Sequence, residues 1–361
     1  MKTSKKRPSV VRKTKKAGKS NLDPKILEAT FLEIIRRTSC ELPGDALNAI
    51  RAGQKREKPS SLGKYALGVV LENVELARKN SLPLCQDTGT VTFYIKHPHE
   101  IDESVLKRAA SAATAKATAM GYLRQNSVDS LTGKNSGNNL GPGSPVFYIE
   151  TWRNPSMDIR LILKGGGFEN VGTQYSLPNV GLKAGRDLDG VEKCILDAVF
   201  KAQGKGCGPG ILGVCIGGDR ASSLSMAKKQ FLRPLNDTSD NKDLAKLEKA
   251  IVKKSNSLDI GPMGFGGETT VLGCKIGALN RLPASYFVSL SYMCWAYRRQ
   301  GATVGLDGSL KGWLYPTGAA GGTKTGAKSG KATSAKAKPA RTGSVKTKPV
   351  KTGSAKKGGR R

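Results

Sequence analysis

Three cysteines, Cys85, Cys207 and Cys294, stand in unusual surroundings, in three segments far apart in the chain. A fold that uses them together must bring three distant segments to one place. Cys85 lies in Leu82-Pro-Leu-Cys-Gln-Asp-Thr-Gly-Thr90, which sets a thiol, an amide and a carboxylate on consecutive residues, Cys85, Gln86 and Asp87. Pro83 restrains the backbone before this turn, Gly89 lets it curl, and a strand-like run, Val91-Thr-Phe-Tyr-Ile95, follows. Alone, such a turn is most simply a loop. Cys207 alters that balance, because Gly204-Lys-Gly-Cys-Gly-Pro-Gly210 surrounds it with residues that pack nothing and let backbone amides approach a bulky group. Cys294 sits in Ser289-Leu-Ser-Tyr-Met-Cys-Trp-Ala-Tyr-Arg-Arg299, where Met293 and Trp295 also allow an ordinary core position.

Three thiolates are one short of the four that close a structural zinc or iron–sulfur site. A [4Fe–4S] cluster held by three cysteines keeps one iron with an open position, able to act as a Lewis acid on a substrate hydroxyl. No CxxC or Cys/His pair occurs, and the only histidines, His97 and His99, read as a surface turn before Glu100, so zinc fits less well. Cys40, Cys194, Cys215 and Cys274 read as packing thiols. The glycine runs Gly165-Gly-Gly167 and Gly261-Pro-Met-Gly-Phe-Gly-Gly267 match no nucleotide-phosphate motif.

Charge is concentrated at the ends. The chain carries a net +32, and +22 of it comes from the first 20 residues and from 317–361, neither of which contains an acidic residue. Segments of one sign and few apolar residues cannot offset their ordering entropy, so residues 1–22 and 317–361 are expected to be disordered basic tails around a domain at 23–316. The tails leave open non-specific contact with nucleic acid or another polyanion, beside the plainer reading of a solvated tail. No apolar run is long enough to span a membrane, and only Val10 and Val11 back the basic start, so no secretory signal is expected. Seven scattered cysteines point to a reducing, cytoplasmic setting.

Between the tails, helices are predicted over 24–37 after an Asp23 cap, 65–79, 102–123, 191–203 and 241–256. Strands are predicted at 146–151, 159–163 and 211–216, a loop at 132–145, and strands or strand plus helix over 269–299. This alternation predicts an α/β (α+β) fold, a mixed sheet packed with helices in one catalytic domain.

Five motifs in colinear order carry a resemblance: Leu84-Cys-Gln-Asp-Thr-Gly89; Lys164-Gly-Gly-Gly167 with Glu169-Asn170; Gly206-Cys-Gly-Pro-Gly210 with Gly217-Gly218; Ile260-Gly-Pro-Met-Gly-Phe-Gly-Gly267; and Pro283-Ala-Ser285 leading to Cys-Trp-Ala-Tyr-Arg-Arg299. From about residue 25 to 300 the chain resembles the α subunit of class I fumarate hydratase and L(+)-tartrate dehydratase. The resemblance implies a [4Fe–4S] hydro-lyase acting on a small dicarboxylate, with fumarate and malate as substrate pair and tartrate as the alternative. It implies Cys85, Cys207 and Cys294 as cluster ligands, Gln86 and Asp87 against the bound hydroxy acid, and Arg124 as a carboxylate clamp, with Lys164 directed at the site or else into solvent. It also implies a separate β subunit, in an α2β2 assembly, without which the chain is inactive. Two residues depart from the pattern: Leu282 replaces a histidine expected before Pro-Ala-Ser, which bears on substrate choice, and Phe168 replaces a serine. Both departures are expected to leave the cluster ligands untouched. A reading of another class, a non-catalytic relative that binds polyanions through its tails, stays beside the enzyme.

Overall fold

The structure is a computed structural model and describes residues 22–317; the expectations for the basic tails fall on residues 1–21 and 318–361, outside the described residues. Asp23 caps the first helix, α1 (Pro24–Cys40), by accepting from the amides of Lys25 and Ile26, and Leu27, Phe31, Ile34 and Ile35 form its buried face. The sequence reading passes over α2 (Gly44–Arg56), whose buried residues are only Ala46, Leu47, Ile50 and Gly53. After Ser61, α3 (Leu62–Asn80) leads into the Cys85 turn. There follow β1 (Thr90–Pro98), α4 (Glu103–Ala119), β2 (Val146–Trp152), β3 (Met157–Lys164), the single turn α5 (Gly166–Glu169) and β4 (Thr173–Ser176). The second half adds α6 (Leu188–Ala202), β5 (Gly210–Gly217), α7 (Arg220–Lys229), α8 (Lys242–Asn256), β6 (Val271–Leu279), β7 (Phe287–Met293), β8 (Arg299–Val304) and β9 (Leu310–Trp313). Helix α4 stops four residues short of the predicted end, because Met120 caps it and Gly121 takes φ +78°. The 269–299 region resolves into two strands, with no helix between them.

The strands form two mixed sheets rather than one. The first runs β2-β1-β3-β8-β9 and the second β4-β7-β5-β6, with β1·β2 and β5·β6 parallel and every other pair antiparallel. Helices α1 and α4 cover the first sheet over Phe31, Phe93, Ile159 and Leu161; α6 and α8 cover the second over Ile195, Val214, Ile251 and Ile276. A third cluster, with Tyr94, Ile162, Ile211, Phe231, Met293 and Tyr297, joins the two sheets. An α/β fold with mixed sheets is thus the architecture. No helix among the described residues is long and apolar enough to cross a membrane.

His97 departs from its expected surface turn. It lies inside β1, 3% exposed, with Nδ1 2.9 Å from the Pro98 carbonyl oxygen; only His99 stays exposed in the turn. The strand runs two to three residues further than its apolar run shows, and its last residues are covered by the start of α4, where Glu103 lies 3.9 Å from His97 Nε2.

Candidate functional site

Antiparallel neighbours share their ends, and five strand ends meet at one end of the two sheets for that reason. Thr90 at the start of β1 pairs with Lys164 at the end of β3, and Ile162 pairs with Arg299 at the start of β8. In the second sheet, Ile211 near the start of β5 pairs with Met293 at the end of β7. The turns holding Cys85 and Cys207 therefore enter, and the stretch holding Cys294 leaves, on the same side. Residues 294–298 carry the chain from β7 in one sheet to β8 in the other.

Each thiol is placed by its neighbours' main chain. Leu84, buried before Cys85, donates its N–H to the Ser39 carbonyl at 2.9 Å, and its own carbonyl accepts Asn73 Nδ2 at 2.8 Å. The carbonyl of Cys207 accepts the Trp295 N–H at 3.2 Å, and that of Gly208 accepts the Met263 N–H at 3.2 Å. Cys85 and Cys294 are half-buried and Cys207 is exposed. The charges of Cys85 and Cys207 act on Cys294, and those of Cys85 and Asp87 act on Cys207, so the groups share one electrostatic neighbourhood. Burial pushes the Cys294 thiol up to about 11, with Arg298 pulling the other way; burial also raises Cys207. Cys40, Cys194, Cys215 and Cys274 are buried; burial raises Cys40 to about 12 and Cys194 and Cys215 to about 11.

Asp87 accepts the Gly166 N–H at 2.8 Å, which aims its carboxylate across the start of α5. Gly165 must lack a side chain here, since a Cβ would stand 2.7 Å from Asp87 Oδ2 and 3.5 Å from Arg298 Nη2. Thr88, buried next to Asp87, accepts the Arg124 N–H at 3.0 Å and Asn126 Nδ2 at 2.9 Å. Asn139 Nδ2 in turn donates to the Arg124 carbonyl at 2.6 Å. This network fixes the main chain of Arg124 beside the turn and leaves its side chain exposed, as is that of Gln86. A polar cleft of about 450 Å³ opens outside Asp87, lined also by Gln125, Asn126, Ser144 and Gly166.

Lys164 is not a strand-end lysine in solvent. It is 6% exposed and paired with Glu169, which Lys228 also holds. Burial pushes Lys164 below the usual lysine range against the pull of Glu169, and the Cys294 charge reaches it too.

Both departures from the motif pattern are re-placed. Phe168 packs its ring on Gly206, the residue before Cys207, and stacks it on Tyr292 at 4.9 Å. Leu282 is 74% exposed on the loop that enters β7, whereas Cys294 follows the other end of that strand, roughly 20 Å away at the usual rise per residue. Leu282 therefore does not line the cysteine site within this chain.

Sequence reasoning assigned no role to Arg298, which is 1% exposed and adjoins Asp87 through the space at Gly165. Nothing in the string Tyr297-Arg-Arg299 separates Arg298 from Arg299, which pairs with Asp45 and lies over the rings of Tyr297 and Tyr315.

The donor set fits an iron–sulfur cluster. Three thiols from three segments lie within electrostatic reach of one another, Cys294 also feels a buried cation with unsatisfied N–H groups, and Cys207 stands in a glycine-rich loop. Among the described residues, no three His, Cys, Asp or Glu groups surround a single ion. A cubane does not require that, because its three cysteines bind three different irons.

The family model described as fumarate hydratase (fumerase) matches residues 28–303. A protein of Geobacillus stearothermophilus that carries the name of a class I fumarate hydratase is 49% identical over 299 residues, covering 81% of this chain and 58% of that protein. One of Methanocaldococcus jannaschii, carrying the name of an L(+)-tartrate dehydratase alpha subunit, is 34% identical over 284 residues, 77% of this chain and 98% of that protein. The L(+)-tartrate dehydratase subunit alpha of Escherichia coli K12 is 30% identical over 271 residues, 72% and 85% of the two chains. The chain thus spans little more than half of the Geobacillus relative and nearly the whole of the named alpha subunits.

Proposed function

The chain belongs to the class I fumarate hydratase family, a family of hydro-lyases, and from that premise we propose that it is the α half of an enzyme that reversibly hydrates fumarate to malate. What supports the reading is that the strand pairing sets Cys85, Cys207 and Cys294 at one end of the two sheets, within electrostatic reach of one another and, for Cys207, of Asp87. Identity favours fumarate over tartrate, at 49% against 34% and 30%. A separate β subunit, in an α2β2 assembly, is supported by the names of two relatives as alpha subunits, of which the match covers 98% and 85%. An outward stripe of Leu62, Tyr65 and Val69 on α3 gives such a subunit an apolar surface to cover.

When bound by Cys85, Cys207 and Cys294, a [4Fe–4S] cluster supplies one open iron as a Lewis acid for the substrate hydroxyl. The chain's own residues do the rest of the work assigned to this half. Arg124, with its main chain fixed and its guanidinium free, presents a planar fork to a substrate carboxylate. Asp87, oriented by the Gly166 amide, holds the hydroxyl and passes its proton, with the Gln86 amide beside it. Lys164, charge-balanced by Glu169, adds a cation behind the dicarboxylate. Removal of the C3 proton falls to the β half. The reading includes a cytoplasmic setting, where all seven thiols stay reduced, and non-specific polyanion contact by the basic ends, which rests on charge alone.

Anaerobic reconstitution of the full chain with iron and sulfide tests the proposal. The expected product is a brown protein with about four irons per chain. It should be inactive on fumarate alone and active once a β subunit is supplied. An iron-free protein retained on DNA in a salt-dependent way supports the polyanion-binding relative instead.

A further inference from the structure

Arg298 is a buried cation that the chain itself does not satisfy. Its Nε and Nη1 have no hydrogen-bond partner, no carboxylate pairs with it among the described residues, and it is 1% exposed. Arg299, equally buried, also leaves Nε and Nη1 unbonded, but its charge is balanced by Asp45 and it lies over two aromatic rings. Burying a charge without a partner is among the costliest arrangements a fold can adopt, so an acceptor belongs beside these N–H groups. The main chain holds the residue rigidly, with the Arg298 carbonyl accepting the Leu163 N–H at 3.0 Å and its own N–H donating to Ala296 at 2.7 Å. The guanidinium reaches the space beside Gly165 and Asp87 on one side, and its charge acts on Cys294.

Two acceptors are chemically reasonable, a substrate carboxylate and sulfur. On the reading above, a substrate carboxylate is met by Arg124, whose side chain is exposed. A side chain 1% exposed behind Gly165 is out of its reach. Asp87 lies across the space at Gly165, while Lys164 is already balanced by Glu169. We propose that Arg298 is a positioning residue whose free N–H groups bond the sulfurs of a cluster held by Cys85, Cys207 and Cys294, holding it in place and making it easier to reduce. The assignment rests on the reading that these thiols carry such a cluster. A positive charge and N–H···S bonds favour the more negative, reduced form, which raises the reduction potential.

The test uses the full chain, reconstituted anaerobically as wild type, Arg298→Met, Arg298→Lys and, as a control remote from the site, Arg281→Met. Iron per chain, midpoint potential and the rate of bleaching in air are measured. Arg298→Met should be at least tenfold harder to reduce, about 59 mV for one electron, and should bleach several-fold faster. Arg298→Lys should recover part of both, because it keeps the charge but loses the fork. Arg281→Met should match wild type. If wild type loads iron and both Arg298 variants share its potential, the role of Arg298 is overturned while the cluster reading stands. Should Arg298→Met fail to fold, an unshifted potential in Arg298→Lys overturns it equally. A wild type that takes up no iron overturns the cluster reading, and this assignment with it.

Discussion

The carbonyl oxygen of Cys207 accepts the backbone N–H of Trp295 at 3.2 Å, so two of the three clustered thiols are joined by main chain and not by sulfur. The loop should therefore keep its course when its thiol is removed.

Cys207→Ala separates ligand from scaffold. Cys207 is exposed in a glycine-rich loop, so the change should alter stability by no more than about 0.5 kcal/mol. Iron content after reconstitution should nonetheless collapse. Cys194→Ser should do the reverse, since it buries a hydroxyl in the core of α6 at a cost of about 1–3 kcal/mol and leaves iron binding intact in the folded fraction. Urea unfolding and iron analysis on both variants check the pair.

Gly165→Ala and Gly167→Ala differ by one clash. A methyl at 165 meets Asp87 Oδ2 at 2.7 Å, whereas a methyl at 167 meets nothing within 4 Å. The first should cost about 1–3 kcal/mol and swing Asp87 away from the Gly166 amide, lowering kcat of the assembled enzyme at least tenfold. The second should be nearly neutral in both unfolding and turnover assays.

Phe168→Ala removes the ring that stands between Tyr292 and Gly206. A truncated buried phenylalanine costs about 3–5 kcal/mol, and the freed space lies under the Cys207 loop. Iron should leave the reconstituted variant several-fold faster in the presence of a chelator, which optical bleaching follows directly.

Glu169 sets an acid-side slope. Burial alone would raise its pKa, but Lys164 and Lys228 outweigh burial and hold the carboxyl below the usual glutamate range. A carboxyl lowered on folding adds stability that is complete above its unfolded value and is lost as pH falls through its folded value. Unfolding midpoints should therefore drop for wild type below about pH 4.3, the ordinary glutamate value. The Glu169→Gln curve should start lower at neutral pH, with Lys164 left unpaired, and fall less steeply.

Much of the architecture was written in periodicity. Helices α1, α6 and α8 were legible from their residue pattern, with Asp23 marking the start of α1; the Asp187 cap was not read, and α6 begins three residues before its predicted start at 191. Helix α2 was not legible, since Lys55, Arg56, Gln54 and Asn48 dilute its few apolar residues and tertiary packing forms it. Strands β8 and β9 were hidden in short polar runs such as Arg299-Gln-Gly-Ala, which read as strand only against Ile159 and Leu161 of β3. At the site, the cysteines announced themselves by the residues around them. The buried guanidinium of Arg298 did not, because what distinguishes it from Arg299 is the partner each finds across the sheets.

Residues 294–298 are the crossing from the second sheet to the first, and β8 and β9 join the first sheet only after them. During synthesis, then, a ribosome releases the third sulfur late, when most of both layers has emerged. Chains cut short before Cys294 lack one of the three thiols and the strand that follows it.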